Sequence, residues 1–182
     1  MIQYIAILRG INVGGKRKVL MKDLKELVEQ LGGKHVRTYI QSGNVVFNSP
    51  ISSCSHLEEL LSEAIVKHYG FEVPVIIRTS REWKLLIKVI PFDNEILDQI
   101  HVTFLKALPT EKDLAVISKY DSFPDTFVIQ DKQVYIQCEV PYHKTKLGNA
   151  FFEKKLKVPC STRSMKTVLK IAEMLESIPQ KF

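Results

Sequence analysis

Thr38-Tyr39-Ile40-Gln41-Ser42-Gly43-Asn44-Val45-Val46-Phe47 reads as two β-rich runs folded about Ser42-Gly43. The runs extend back to His35 and on to Asn48, and Gly43 tolerates the positive φ that a two-residue turn demands. This hairpin decides the fold because a strand and a helix precede it. Two strands in succession exclude a parallel sheet whose strands alternate one by one with helices. Upstream, Gln3 to Leu8 is a short apolar strand stopped by the breaker run Gly10 to Gly15. Leu20, Leu24, Leu27, Val28 and Leu31 then recur at helical spacing, and Gly32-Gly33 ends that helix. Downstream, Ser55 with Glu58 reads as a capping box opening a helix that runs to about Tyr69 and stops at Gly70. Val73 to Arg78 is a fourth strand, and Thr79 with Glu82 opens a short helix that Pro91 stops. The order is β-α-β-β-α-β with one added helix.

The second half begins in the same way. Ile100 to Ala107 reads as a strand, Thr110 with Asp113 caps a helix, and Thr126 to Gln130 with Gln133 to Glu139 form a hairpin around Asp131-Lys132. Helices at about Thr145 to Leu156 and Ser164 to Ser177 flank a last strand, Val158 to Arg163. The run Thr126-Phe127-Val128-Ile129-Gln130 echoes Thr38 to Gln41, which suggests an internal repeat. The expected fold is α+β: two tandem ferredoxin-like (split β-α-β) halves with antiparallel sheets, residues 1–92 and 93–182.

With 26 Lys+Arg against 20 Asp+Glu among 182 residues and 45% hydrophobic residues, the composition is that of a globular chain rather than a disordered or fibrous one. No stretch reads as a signal peptide or a membrane span, so no membrane partner is expected. Cys54, Cys138 and Cys160 lack paired spacing, which argues against a disulfide framework and for a reducing cytoplasm. The charge is uneven. Arg9 to Lys25 carries six basic residues against Asp23, His143 to Lys170 carries eight against Glu153, and the remainder nets −6. Such clustering suits either a face that meets phosphate or the solvated sides of helices.

Gly10-Ile11-Asn12-Val13-Gly14-Gly15-Lys16 fits the GxxxxGK of a phosphate-binding P-loop and sits between a strand and a helix. Arg17 stands where that motif needs Ser or Thr to hold magnesium, and no later apolar strand ends in a second metal-binding Asp. Hydrolysis of magnesium-ATP is therefore not expected. The helix after the loop has no capping side chain at Val19, Leu20 or Met21, so its first N–H groups and the flanking cations invite an anion. Equally, Gly14 and Gly15 serve a backbone turn with Lys16 to Lys18 in solvent. His35, His56, His68, His101 and His143 are scattered without metal-ligand spacing, and no GxSxG elbow occurs. No metal and no cofactor are expected. Arg9, Asn12, Tyr39, Gln41, Ser42 and Asn44 offer hydrogen bonds and one cation but no evident general base.

Leu8-Arg9-Gly10-Ile11-Asn12-Val13-Gly14-Gly15 followed by Thr38 to Phe47 closely resembles the motifs of a bacterial family labelled domain-of-unknown-function family sixteen-ninety-seven. The likeness extends to Lys144-Thr145-Lys146-Leu147 and to Thr162-Arg163 through Thr167. It departs at Ser164-Met165-Lys166, where the family usually carries an Asn-Trp-Asn-like run. The resemblance implies an α+β fold of two ferredoxin-like halves and no particular activity, catalytic residue or cofactor. It also implies that the polar motif residues border one surface.

The candidate ligand-binding residues are thus Arg9, Asn12, Gly14, Gly15, Lys16, Tyr39, Gln41, Ser42, Asn44, Lys146 and Arg163. The first expectation is a non-enzymatic protein that binds phosphate, with single-stranded nucleic acid as partner. The alternative is an enzyme acting on a small phosphorylated or anionic metabolite, with Arg9 and Lys16 as anion clamps.

Overall fold

The structure, a computed structural model, describes residues 1–177. The chain divides into two compact units, one formed by Met1–Lys88 with the chain from Lys170 onward, the other by Val89–Leu169. Each unit holds a four-stranded sheet in which every neighbouring pair is antiparallel.

The first unit runs β1 (Ile2–Leu8), α1 (Met21–Gln30), β2 (Lys34–Tyr39), β3 (Asn44–Ser49), α2 (Cys54–Tyr69), β4 (Val75–Thr79) and α3 (Ser80–Lys88), with strand order β2-β3-β1-β4. Alternation along the strands sends Tyr4, Ala6 and Leu8, with Val45, Phe47, Val75 and Ile77, into one core with Leu24 and Val28 of α1 and Leu57, Leu61 and Ile65 of α2. Ile5, Ile7, Val46 and Ile76 point the other way and are also buried, and α3, with its fully buried Trp83, packs against β1 and β4. Burial on both faces explains why β1 reads as an unbroken apolar run rather than an alternating one.

Two local expectations are corrected. The connection between β2 and β3 is not the two residues Ser42-Gly43. Tyr39 pairs with Asn44, so residues 40–43 make the turn, with Ile40 at φ 47° and Gly43 at φ 78°. The cap of α2 is Ser53, whose Oγ accepts the His56 amide at 3.2 Å, rather than Ser55 with Glu58. Glu58 is buried and accepts the Ile77 amide of β4 at 2.8 Å. Because β4 is an edge strand, this carboxylate covers a donor that would otherwise be open to a foreign strand. The capping box of Thr79 with Glu82 forms as expected, the Thr79 amide donating to Glu82 at 2.7 Å and the Glu82 amide to Thr79 Oγ1 at 3.2 Å.

The second unit runs β5 (Ile100–Leu105), α4 (Glu111–Ile117), β6 (Thr126–Gln130), β7 (Gln133–Gln137), α5 (Asn149–Leu156) and β8 (Cys160–Ser164), in order β6-β7-β5-β8. Short 3-10 turns at Asn94–Gln99 and Tyr142–Lys144 flank these elements. The last helix, α6 (Met165–Glu176), starts here, and its residues from Lys170 group with the first unit. One core holds Leu105, Val134, Ile136 and Cys160 of the sheet with Ile117 of α4 and Phe152 of α5. The Asp131-Lys132 turn is as expected, with Asp131 at φ 50°. Helix α5 begins at Asn149 rather than Thr145, because the Thr145 hydroxyl donates to buried Asp125 and accepts the Leu147 amide at 3.1 Å, tying that segment as a turn.

The repeat goes deeper than the hairpins. The Leu8 amide donates to Gly43 and the Arg9 amide to Pro74, and at matching places the Leu105 amide donates to Lys132 and the Lys106 amide to Pro159. The strands β4 and β8 each carry a buried arginine followed by a hydroxyl residue that leads straight into a helix: Arg78-Thr79 into α3, and Arg163-Ser164 into α6. Arg78 lies opposite Ile5, and Arg163 opposite Val102.

Candidate functional site

The glycine loop is a small hairpin closed by Asn12. Val13 and Lys16 form an antiparallel bridge across Gly14-Gly15, whose φ values of 58° and 74° suit the primed turn of a two-residue hairpin. The Lys16 amide donates to the Val13 carbonyl and the Asn12 amide to the Arg17 carbonyl, each at 3.1 Å. The Asn12 side chain then ties three segments together. Its Nδ2 donates to the carbonyls of Val19 at 2.9 Å and Gln41 at 2.8 Å, and its Oδ1 accepts the Val19 amide at 2.9 Å. Glycine loop and β2–β3 turn therefore border one end of the first unit. Gly43 backs into the same joint, where an added Cβ would lie 2.7 Å from both Leu8 Cβ and Ile11 Cδ1.

Asn44 and Ser42 tie the turn together. Asn44 is 1% exposed, and its Nδ2 donates to the Tyr39 carbonyl at 3.0 Å and to Ser42 Oγ at 3.1 Å. Tyr39 and Ser42 are half-buried, Gln41 is exposed, and Arg9 is half-buried beside its amide's bond to Pro74. The start of α1 has no capping side chain of its own, as expected, yet the Leu20 amide donates to the Tyr69 hydroxyl at 3.2 Å. That hydroxyl in turn donates to Asp23 Oδ2 at 3.1 Å, and His68 Nε2 stands 3.6 Å from the same oxygen. Burial, then the bond to Asp23, pushes the Tyr69 phenol above its ordinary pKa. A carboxylate thus already faces the positive end of the helix.

What the loop presents outward is therefore side chains. Lys16, Arg17 and Lys18 are all exposed, with the Arg17 guanidinium lying back toward Gly10. Val13, Leu20 and Ile40 are exposed at the same end, at 68%, 55% and 48%. Val13 and Ile40 fall in loops, where period carries no signal, and Leu20, read as the first apolar position of the helical period, instead caps α1 from outside and stays exposed.

Lys146 and Arg163 belong to the second unit. Lys146 is exposed ahead of α5. Arg163 is 7% exposed and donates to Ser161 Oγ and the Thr162 carbonyl, both at 2.8 Å, and burial holds its pKa down at about 10. So enclosed, it braces the interior and does not stand on a phosphate-facing surface. Its counterpart Arg78 donates to the Ile77 carbonyl at 3.0 Å, and burial lowers its pKa as well. Among the described residues, no three His, Cys, Asp or Glu side chains come together as metal ligands, and no helix is long and apolar enough to cross a membrane.

The model of a family described as a protein of unknown function (DUF1697) matches residues 1–135. The chain belongs to that family. The match takes in the whole first half and the second as far as the middle of β7, and the resemblance read from the two motifs is borne out at the level of the family. No curated protein matches the chain. A solved structure, that of the conserved bacterial protein SP0830 from Streptococcus pneumoniae, is similar over 97% of this chain and 99% of that chain, with 26% identity and a TM-score of 0.75. That similarity extends the family's fold past residue 135 to nearly the whole chain.

Proposed function

We propose that the protein is a non-enzymatic binder of phosphate groups carried on a larger partner, and that the hairpin end of the first unit is its contact face. One observation carries this reading. Three successive cations, Lys16, Arg17 and Lys18, stand exposed on a short hairpin that Asn12 pins to both Val19 and Gln41. A hairpin backbone already held by hydrogen bonds incurs no loop-ordering cost when it meets a partner, so only the side chains of the cations lose freedom on binding. The same bonds engage the Asn12, Lys16, Val19 and Leu20 amides inside the protein. A phosphate here meets side chains rather than an enclosing backbone nest, which favours an extended polyanion over a small metabolite.

A thymidine oligonucleotide followed by fluorescence anisotropy tests this with a phosphate-bearing chain. Binding is expected at low salt, falling with a log–log slope of about −0.7 per phosphate contact. Reversing Lys16, Arg17 and Lys18 together to Glu removes it while the melting temperature stays put. Lys146→Glu reports separately on the second unit. No affinity at low salt, or affinity that survives the triple reversal, overturns the reading.

A further inference from the structure

We infer that the larger partner is the surface of an anionic lipid bilayer, an inference that rests on the phosphate-binding reading and commits that site to one partner. Val13, Leu20 and Ile40 are each adjacent in sequence to Asn12 or to a residue that its side chain bonds, so three exposed aliphatic side chains gather around one clamp. Lys16, Arg17 and Lys18 lie between Val13 and Leu20 along the chain, whereas Lys22 in the first turn of α1, its side chain 84% exposed, stands 3.8 Å from Glu26 and is paired on its own helix. Asp23, the acid nearest these cations in sequence, is engaged by Tyr69 and faced by His68.

Exposed aliphatic side chains with cations between them along the chain match the two layers of a bilayer surface. The charges meet lipid phosphates, while the apolar side chains enter the boundary between headgroups and acyl chains. Nucleic acid fits less well. Sequence-tolerant binding of single strands relies on aromatic rings for base stacking, and the apolar side chains exposed here have no π face. Tyr39, the aromatic residue that ends β2 beside the turn, is half-buried. The backbone adds a second argument. Ile40 is β-branched and 48% exposed, yet sits at φ 47°, a conformation that suits Asn or Gly. The fold covers only about half of this strained Ile, and a partner that takes up the rest of the side chain gains from it. No membrane-spanning helix is needed for a protein that lies on a surface, so the expectation of no membrane partner, drawn from the lack of a span, does not bear on this contact.

Co-sedimentation of the full chain with vesicles decides the matter. Vesicles of phosphatidylcholine alone are compared with vesicles containing about one-third phosphatidylglycerol, at low salt. Binding to the anionic vesicles only is expected. Val13→Ser with Ile40→Asn should weaken vesicle binding about tenfold or more through lost apolar insertion, leave oligonucleotide affinity unchanged, and leave the melting temperature equal or higher because Asn accepts the left-handed backbone. If the oligonucleotide binds and the anionic vesicles do not, the lipid inference fails and the phosphate reading stands. If neither probe binds, both fail. Vesicle binding that the double substitution does not touch also overturns the inference, since charge alone then accounts for it.

Discussion

The two units share a strand order and differ in their connections. In both, the last residue of the central strand donates to the hairpin turn, Leu8 to Gly43 and Leu105 to Lys132, and the next residue donates to a proline carbonyl, Arg9 to Pro74 and Lys106 to Pro159. Beyond that point they diverge. From β1 to α1 the chain passes through residues 9–20, folding the cationic hairpin, whereas from β5 to α4 it needs only residues 106–110 and is capped by Thr110. The facing hairpin turn is likewise longer in the first unit, 40–43 against 131–132. The second unit is the longer at two other connections, 118–125 against 31–33 and 138–148 against 50–53, so each unit carries loops of its own on a shared scaffold, and loops are where function is commonly carried.

The sharpest break in the comparison comes at the matched turn positions Gly43 and Lys132. Gly43 has φ 78° and no room for a Cβ against Leu8 and Ile11. Gly43→Val should cost about 3 kcal/mol or more in denaturant unfolding, from backbone strain and overpacking together. Lys132→Val should cost less than about 1 kcal/mol, being free of both mechanisms. Equal losses at the two sites would mean that the turns are interchangeable.

Next in size is the pair of buried arginines. The carboxylates of Glu82 and Glu58 act on Arg78, whereas the electrostatic neighbour raising the Arg163 pKa is the Tyr142 phenol. Arg78→Met removes a buried cation on which two carboxylates act, together with its bond to the Ile77 carbonyl, and should cost up to about 3 kcal/mol. Arg163→Met leaves a neutral phenol behind and should cost less. Thermal melts of the two variants give the order directly, and the reverse order would show that the matched arginines are braced differently from this account.

Asn12 has no counterpart in the second unit, whose matching connection is too short to need a clamp. Asn12→Ala removes three hydrogen bonds from a half-buried joint and should lower stability by about 1–3 kcal/mol. It should also weaken oligonucleotide and vesicle binding, although the cations remain. Binding kept at full strength would show that the hairpin's charge matters and its fixed shape does not.

Much of this was legible in sequence. The order of elements followed from the turn at Gly43 and from helical spacing such as Leu24, Leu27 and Val28, because core-facing periodicity is a local signal, whereas Leu20, read with them, lies outside α1 and is exposed. The Glu58 contact was not legible, since a residue spaced for a capping box reached a strand edge instead, and such a long-range choice leaves no local trace. The end-to-end agreement between Arg78-Thr79 and Arg163-Ser164 is present in the sequence, but five-residue strands as unlike as Val75–Thr79 and Cys160–Ser164 hide it. At the site, spacing named Asn12 and Lys16 but not their roles. Whether an Asn side chain turns inward to Val19 or outward to a ligand depends on where Gln41 arrives, and only the fold sets that.

The smallest expected effect separates the units by pH. Tyr4 in β1 lies opposite Thr79, and the matched position in β5 is His101, opposite Ser164. Burial raises the Tyr4 phenol above its ordinary value, so it stays neutral below pH 10. His101 stacks on Tyr142 with ring centroids 4.3 Å apart and has Cys138 Sγ 3.8 Å from its Nδ1. Burial pushes its pKa below the ordinary 6.5, although a backbone bond at Gln99 opposes this in part. Neighbouring Cys138 is pushed up to about 11 by burial and by Asp125, so its thiol is neutral in the same window. The unfolded chain therefore binds the histidine proton more readily than the folded one. Above the unfolded value the contribution to stability is full, and it is lost as pH falls from 6.5 through the lower folded value. Hydrogen exchange at pH 7 and pH 5, corrected for the intrinsic rate, should show protection in β5 and β7 falling relative to β1 and β3. His101→Phe should remove that difference, because it keeps the stack on Tyr142 without a titrating nitrogen. A second-unit loss that persists in His101→Phe would place the acid sensitivity elsewhere in the unit.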